Sequence, residues 1–243
     1  MRYIDTTDLL VKQVNWGNPP ERWKDPILRR DFKDFFYKKC WYSEASIAMN
    51  DVHIDHFRPK ARVVQYEQYD FNSPLKDVGY HWLKNDVTNY RASCAFCNRK
   101  TGDGGKQNYF PLQPGSPHLT LNGREEEKPL LLDPCNEEDV KLLSFFGKDV
   151  VCASMRDEDS DRVEASRIIY NLDPPDIVYM RSKVWESVSQ IVSAYDAGDM
   201  NQAECVRQLR TAIARETPYS ACAIACVNSL ATDEVKAQLD LKL

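Results

Sequence analysis

The strongest constraint on what this chain can fold into is a pair of short segments, 53–60 and 89–100, which concentrate metal-binding and proton-transferring side chains. In the first segment, a short run of alternating apolar residues ends at Asp55 and His56. In the second, a strand-like run leads to two cysteines, and Asn98 follows them directly. Together the two segments offer the parts of a single chemical site.

The local patterns predict how these parts are carried. We expect one strand over Val52–Phe57 and a second over Asn89–Ser93, because both runs alternate in polarity. A short helix then begins at 97–100 and ends at the glycines of 102–105. The aromatic-rich stretch 63–85 is expected to be a long loop that wraps the site.

The side chains suit metal-assisted cleavage of a phosphodiester bond. Asp55 and Asn98 offer oxygen ligands of the kind that Mg²⁺ prefers, and the remaining positions of its shell take water and substrate phosphate. His56 has an intrinsic pKa that lets it take a proton from an attacking water near neutral pH. We therefore predict His56 as the base, with Mg²⁺ or another divalent cation on Asp55 and Asn98.

The eight cysteines fall into two groups. Cys94 and Cys97 have the spacing of a zinc knuckle, and with Cys40 they are candidate ligands for a structural Zn²⁺. Three thiolates leave such a site incomplete unless a histidine completes it, and His53 is the nearest candidate. The others are expected to be packed apolar side chains: Cys135, Cys152, Cys205, Cys222 and Cys226.

Composition favours a cytosolic protein with no membrane partner. The mean hydropathy is −0.57, no apolar run approaches the length of a membrane span, and the first residues lack the apolar core of a signal peptide. The net charge of −5 is unevenly distributed, since basic residues are in excess up to residue 112 and acidic ones after it. Local charge governs attraction to phosphate, so the half that contains the candidate site is the one suited to nucleic acid.

The fold class predicted from these patterns is α+β, mainly α, in three segments. A helical segment covers 1–39, the catalytic core covers 40–112, and a mainly helical region over 113–243 packs on the core, binds a partner, or does both. Apolar periodicity predicts a helix over Glu21–Lys39. The last segment is expected to begin with a hairpin over 142–151 and to continue with helices over 160–170, 177–197, 201–215, 218–230 and 232–243.

Four basic residues flank the two site segments and are candidate phosphate contacts: Arg58, Lys60, Arg99 and Lys100. Arginine can grip a phosphate through two parallel hydrogen bonds. Each of the four is also a common type of surface residue, so phosphate binding and ordinary solvation both stay open. The basic face of the helix over 21–39 is better explained as the solvated side of a core-packed helix.

The ordered set of site residues resembles the HNH nuclease motif, and the resemblance extends well beyond the motif. Over about residues 35–180 the chain is similar to the HNH nuclease subunit of Septu-type and retron-associated antiphage systems, the PtuB family. The stretches that carry this similarity are Cys40–Glu44, His56–Lys60, Tyr80–Leu83, Asn89–Cys94, Asn108–Leu112 and Lys128–Cys135.

The resemblance implies properties that composition and spacing do not give. It implies a ββα-metal core, also called a His-Me finger, with additional C-terminal helices, and DNA or RNA as substrate. It assigns Asn89 to the catalytic set, where its hydrogen bonds hold the loop that carries the histidine. It also implies a partner ATPase of the ABC/SMC-like class, a PtuA-type protein, and retron RNA or msDNA in the retron-associated systems.

One departure from the family pattern bears on zinc. Nucleases of this class often carry a second cysteine shortly after the first, and this chain has Ser43 at that position.

The alternative function is a non-enzymatic zinc-knuckle adaptor that binds a partner through its C-terminal helices. An adaptor needs the cysteines but has no need of Asp55, His56 and Asn98, so these three residues discriminate between the two hypotheses.

Overall fold

The computed structural model describes residues 1–63, 79–99, 105–117 and 127–240, and within them the fold is α+β and mainly helical, as predicted. The helices are α1 Thr7–Val11, α2 Pro26–Phe35, α3 Ala95–Asn98, α4 Glu137–Leu142, α5 Asp157–Ile169, α6 Pro175–Asp196, α7 Gln202–Ile213, α8 Ser220–Leu230 and α9 Asp233–Gln238. The strands are β1 His53–His56, β2 Tyr90–Ser93, β3 Leu143–Phe146 and β4 Asp149–Cys152. Among the described helices, none is both long enough and apolar enough to cross a membrane.

Strands β1 and β2 form an antiparallel pair whose register sets Asp55 opposite Arg91 and His56 opposite Tyr90. Helix α3 follows β2 at once and packs on β1. The predicted start of this helix at 97–100 is wrong, because the helix begins at Ala95 and its last residue is Asn98. The strand-to-helix turn therefore falls at Cys94, Cys97 lies within the helix, and both site segments lie side by side.

Helix α2 is shorter than the predicted Glu21–Lys39. A separate single turn covers Arg22–Lys24, and α2 begins at Pro26, whose ring fits the first position of a helix and lacks an N–H to satisfy. The Asp25 carboxylate accepts from the two N–H groups that follow the proline, both at 2.9 Å, and so caps the new helix. After Phe35 the chain enters left-handed conformations that end it.

The C-terminal half follows the predicted pattern closely. Strands β3 and β4 pair around Gly147, whose φ of +60° suits glycine in the tight turn of the predicted hairpin. Helices α5 to α9 all lie where periodicity predicts them, although α5 begins a few residues early. It begins within the acidic run because carboxylates stabilise the positive end of a helix.

Two apolar clusters form the core. The larger contains side chains from all three predicted segments, including Phe32, Trp41, Phe110 and Cys222, so the segment boundaries at 39 and 112 stay predictions. The smaller cluster, here called the helical cluster, lies among α6 to α9. Its members are Val188, Val192, Cys205, Val206, Leu209, Ile213, Ala223, Cys226, Val227, Ala231, Val235 and Leu239. Most of the predicted loop over 63–85 lies outside the described residues.

Candidate functional site

Asp55 is buried in a small ionic network. The Tyr42 hydroxyl donates to its Oδ2 at 2.6 Å, and the Lys106 ammonium lies 3.2 Å from Oδ1 and 3.1 Å from Oδ2. The Lys106 side chain is completely buried and also donates to the backbone carbonyl of His56 at 2.7 Å. Sequence reasoning missed both partners, because neither belongs to a motif and nothing in the sequence marks Lys106 as buried.

His56 is oriented by a single backbone contact. Its Nε2 lies 2.9 Å from the carbonyl oxygen of Lys84, and a carbonyl oxygen only accepts, so the neutral ring carries its proton on Nε2. Nδ1 is therefore the accepting nitrogen, and in the structure it accepts from the Lys60 ammonium at 3.4 Å. The ring packs edge-on against Trp23 and Tyr90, with centroids 5.0 Å away in each case.

This environment keeps His56 uncharged. Burial, with a smaller contribution from the positive charge of Lys60, lowers the pKa of His56 to about 3. The imidazole is then unprotonated at neutral pH, which a base requires. The side chain is only 5% exposed, so the imidazole is part of the packed interior as well as of the site.

Asn89 joins the histidine strand to the loop that follows it. Its side-chain oxygen accepts from the N–H of Arg58 at 2.8 Å, and its side-chain nitrogen donates to the carbonyl of Arg58 at 2.9 Å. Its own carbonyl accepts from the N–H of Phe57 at 2.8 Å. These contacts suit a residue that holds the histidine loop, while its place in the catalytic set stays a prediction.

Asn98 lies at the end of α3, and its amide nitrogen is 3.1 Å from Nδ1 of His53. Among the described residues, no hydrogen bond joins Asn98 to Asp55. His53 lines a groove of about 390 Å³ together with Cys94, Arg99 and Tyr219. The two predicted Mg²⁺ ligands are thus on neighbouring elements without touching, and their joint role stays a prediction.

The predicted phosphate contacts have different surroundings. The Arg58 guanidinium is 2.6 Å from the Glu127 carboxylate, which also accepts from the Tyr80 hydroxyl, so the charge of Arg58 is offset within the protein. The Lys60 ammonium lies 4.4 Å from the Trp23 ring centroid and 3.4 Å from Nδ1 of His56. Arg99 lines the groove beside His53, and Lys100 lies outside the described residues.

Cys40, Cys94 and Cys97 form a buried cluster whose sulfur atoms all lie within 4.8 Å of one another. Burial raises the pKa of the Cys40 thiol, but hydrogen bonds from Cys94 and Cys97 outweigh it and hold that pKa well below its ordinary value. A thiolate that accepts hydrogen bonds from two thiols can bind a metal ion if the ion displaces the protons of those thiols. Tetrahedral Zn²⁺ at thiolate distances places sulfurs about 3.8 Å apart, which this cluster can reach.

The fourth corner of the cysteine cluster holds Ser43 rather than a histidine. The Ser43 hydroxyl lies 3.9 Å from the Cys94 sulfur. His53, the histidine considered as a completing ligand, bonds Asn98 and is not a member of the cluster. The prediction that other cysteines are packed side chains is confirmed for Cys205, Cys222 and Cys226, which are all buried.

Comparison with known proteins gives two related sequences. The Septu protein PtuB of Bacillus mycoides (strain KBAB4) is 32% identical over 172 residues, which cover 70% of this chain and 55% of that protein. The Septu protein PtuA of the same strain is 25% identical over 167 residues, covering 68% of this chain but 22% of that longer protein. No protein-family model matches the chain. The chain spans about half the length of the PtuB relative. The identity to PtuB and the extent of the aligned region agree with the resemblance seen in the motifs, and the chain belongs to the PtuB family of Septu proteins.

Proposed function

We propose that this protein is a metal-dependent HNH endonuclease subunit that cleaves phosphodiester bonds of nucleic acid in a Septu-type antiphage defence system. The observation that carries the proposal is the orientation of His56, whose Nε2 is committed to the Lys84 carbonyl while Nδ1 can accept a proton. Membership of the PtuB family agrees with a role in defence. A packing histidine in an adaptor has no need of this arrangement beside a buried Asp55.

His56 acts as the general base. Its neutral ring takes a proton from the attacking water through Nδ1, and the bond from Nε2 to Lys84 holds the ring in place as it becomes positively charged. Lys60, 3.4 Å from Nδ1, adds a positive charge on the side from which a phosphate approaches. The Trp23 ring restricts where that ammonium can go. Asn89 fixes the backbone that carries both side chains.

The donor set beside β1 fits a divalent cation. The Asp55 carboxylate supports this fit, because its two oxygens can accept further bonds beyond their contacts with Tyr42 and Lys106. Asp55 and Asn98 would hold Mg²⁺, which supplies charge stabilisation for the phosphorane-like transition state and the leaving oxygen. Strands β1 and β2 with helix α3 have the element order of a ββα-metal core, and we assign them to it.

The cysteine cluster would hold a structural Zn²⁺. Three buried thiols that share one low-pKa sulfur provide three ligands, and Ser43 or a water completes the shell. Because Cys40 precedes β1 while Cys94 and Cys97 flank the start of α3, the ion would tie the polypeptide before the strand pair to the helix after it. Bound there, the ion would stabilise the geometry of the nuclease site without entering the reaction.

A PtuA-type ATPase is the partner we propose, with cytoplasmic DNA or RNA as substrate. A region of a PtuA protein resembles this chain, which supports the view that units of this kind work within larger Septu assemblies. The acidic balance after residue 112 points in the same direction, since it leaves the subunit with a modest electrostatic attraction for nucleic acid. A retron RNA or msDNA remains a further candidate component.

The test is a nuclease assay on the tagged chain purified with its co-expressed partner. Wild type and His56→Gln are compared on DNA and on total RNA, with Mg²⁺ and with EDTA, in the presence of ATP. We expect the wild type to cut only with Mg²⁺ and the variant to be inactive, and the species that is cut identifies the substrate. A stable complex in which neither protein cuts under any nucleotide condition would instead favour the adaptor hypothesis.

A further inference from the structure

Lys106 is a completely buried cation that the reaction outlined above does not use. Its ammonium makes its shortest contact, 2.7 Å, to the backbone carbonyl of His56, and longer ones of 3.1 and 3.2 Å to the two oxygens of Asp55. The tightest bond to Asp55 comes instead from the Tyr42 hydroxyl at 2.6 Å. Lys106 is therefore anchored by the backbone of β1 and rests against the carboxylate.

The backbone of Lys106 is tied to the end of α3. Its N–H donates to the carbonyl of Cys97 at 2.8 Å, and the N–H of Gln107 donates to the carbonyl of Asn98 at 3.0 Å. The side chain therefore reaches from the helix end that carries Asn98 to the strand that carries Asp55. These are the two residues assigned to the divalent cation, so Lys106 connects the elements that carry both proposed metal ligands.

Lys106 offsets the free-energy cost of burying the Asp55 carboxylate when no metal ion is bound. An isolated ionised group in the interior is strongly disfavoured and needs a paired charge. An ammonium supplies that charge when the metal is absent. The same ammonium repels a divalent cation at the same carboxylate, because like charges at such distances interact strongly in a buried site. The carboxylate still has capacity, since two oxygens can accept about four bonds.

We infer that Lys106 is a resident counter-ion of Asp55 that competes with the divalent cation and keeps its affinity for the free protein low. The inference rests on the assignment of the metal to Asp55 in the proposed function. Binding of the divalent cation then requires another group that neutralises the positive charge which the cation adds. Asp55 carries one negative charge against the positive charges of Lys106 and Lys60, so an entering phosphate is the group that restores balance and favours binding of the metal.

The test measures Mn²⁺ affinity by isothermal titration calorimetry and the Mn²⁺-dependent shift in unfolding temperature. Lys106→Gln keeps a hydrogen-bond donor near the His56 carbonyl but removes the charge. We expect Lys106→Gln to bind Mn²⁺ at least about tenfold more tightly than wild type, because the competing charge is gone. The double variant Asp55→Asn/Lys106→Gln should lose this binding.

A matched control is available in a second buried lysine. Lys39 is 1% exposed and lies 3.6 Å from the buried Glu44 carboxylate, and neither residue belongs to the site. Lys39→Gln should lower the unfolding temperature and leave Mn²⁺ affinity unchanged. If Lys106→Gln unfolds without metal, Mn²⁺ should restore its far-UV circular dichroism, and failure to do so counts against the inference.

The outcomes separate the inference from the proposed function. Mn²⁺ binding in wild type that Asp55→Asn removes, with no gain in Lys106→Gln, would leave the metal assignment intact and overturn the role of Lys106. Mn²⁺ binding in none of the proteins would overturn both the inference and the assignment of a metal to Asp55. An equal gain in Lys106→Gln and Lys39→Gln would show a general effect of lost positive charge, which also overturns the inference.

Discussion

The region around β1 and β2 and the helical cluster differ in what they bury. The strand region encloses ionised groups, including the Asp55–Lys106 pair and Arg91, which forms two parallel bonds to Asp133 at 2.7 and 2.6 Å. In the helical part, among the described residues from 182 onward, no Asp, Glu, Lys or Arg side chain is buried. Its core is made of aliphatic side chains and cysteines.

The difference shows that the strand region buries charged groups at a cost in stability. Apolar burial is sufficient to hold the helical cluster together, and buried ion pairs seldom stabilise a fold more than apolar side chains of the same volume. A region that retains several such pairs is keeping charged groups at fixed positions for another purpose. The contrast predicts that substitutions in the strand region change activity and stability together, whereas those in the helical cluster change stability alone.

The largest expected effect is on the base. His56→Gln keeps an amide N–H that can reach the Lys84 carbonyl but has no basic nitrogen, so cleavage should fall about 10²–10⁴-fold. The measurement is single-turnover cleavage with Mg²⁺, with His81→Gln as control because His81 is exposed. Cleavage by His56→Gln at the wild-type rate would rule out a general-base role for this residue.

The buried arginine should give the next largest effect. Arg91→Met leaves Asp133 without its partner in a buried site, which costs about 3–5 kcal/mol in the free energy of unfolding. Urea denaturation measures this change in the free energy of unfolding. The exposed pair of Lys141 with Glu138 supplies the control, since Lys141→Met should leave the free energy of unfolding almost unchanged. Similar costs for the two variants would contradict the distinction between the regions.

In the helical cluster, Leu209→Ala tests the opposite side of the comparison. Leu209 is fully buried in α7, and its truncation should cost about 2–5 kcal/mol through lost burial and the cavity left behind. At a temperature where the variant is folded, cleavage by the purified subunit and its metal content should match those of wild type. A loss of activity in the folded variant would show that the helical cluster is coupled to the site.

The smallest effect on the fold is expected at Ser43. Ser43→Cys puts a fourth thiol in place of the hydroxyl that lies 3.9 Å from the Cys94 sulfur, so the variant should retain zinc at chelator concentrations that strip the wild type. Zinc content after dialysis, measured by elemental analysis, is the readout. Ser43→Ala is the matched control and should lose zinc at least as readily as wild type. Equal retention by all three proteins would place the ion elsewhere or show that no ion binds.

The sequence predicts the helices and strands better than it predicts the contacts between side chains of distant segments. The hairpin at Gly147 and the helices after it are predictable because the spacing of apolar residues and the residue preferences of tight turns are local properties of the sequence. The split of the helix over 21–39 was also marked locally, by Asp25 and Pro26, but the apolar period continued across it. The burial of Lys106 and the packing of Trp23 on His56 depend on contacts between distant segments, which no local pattern carries.

Asn89 shows how narrow the chemical choice at one position can be. Its side chain offers one donor and one acceptor to the two backbone groups of one residue, Arg58, in the way that a neighbouring strand residue would. An aspartate of the same size has no donor, and its carboxylate would face the Arg58 carbonyl oxygen, while a glutamine is one methylene too long for the same fit. Exchange of this one amide nitrogen for an oxygen would therefore remove a donor and set two oxygens against each other, which would loosen the histidine loop from the residue that holds it.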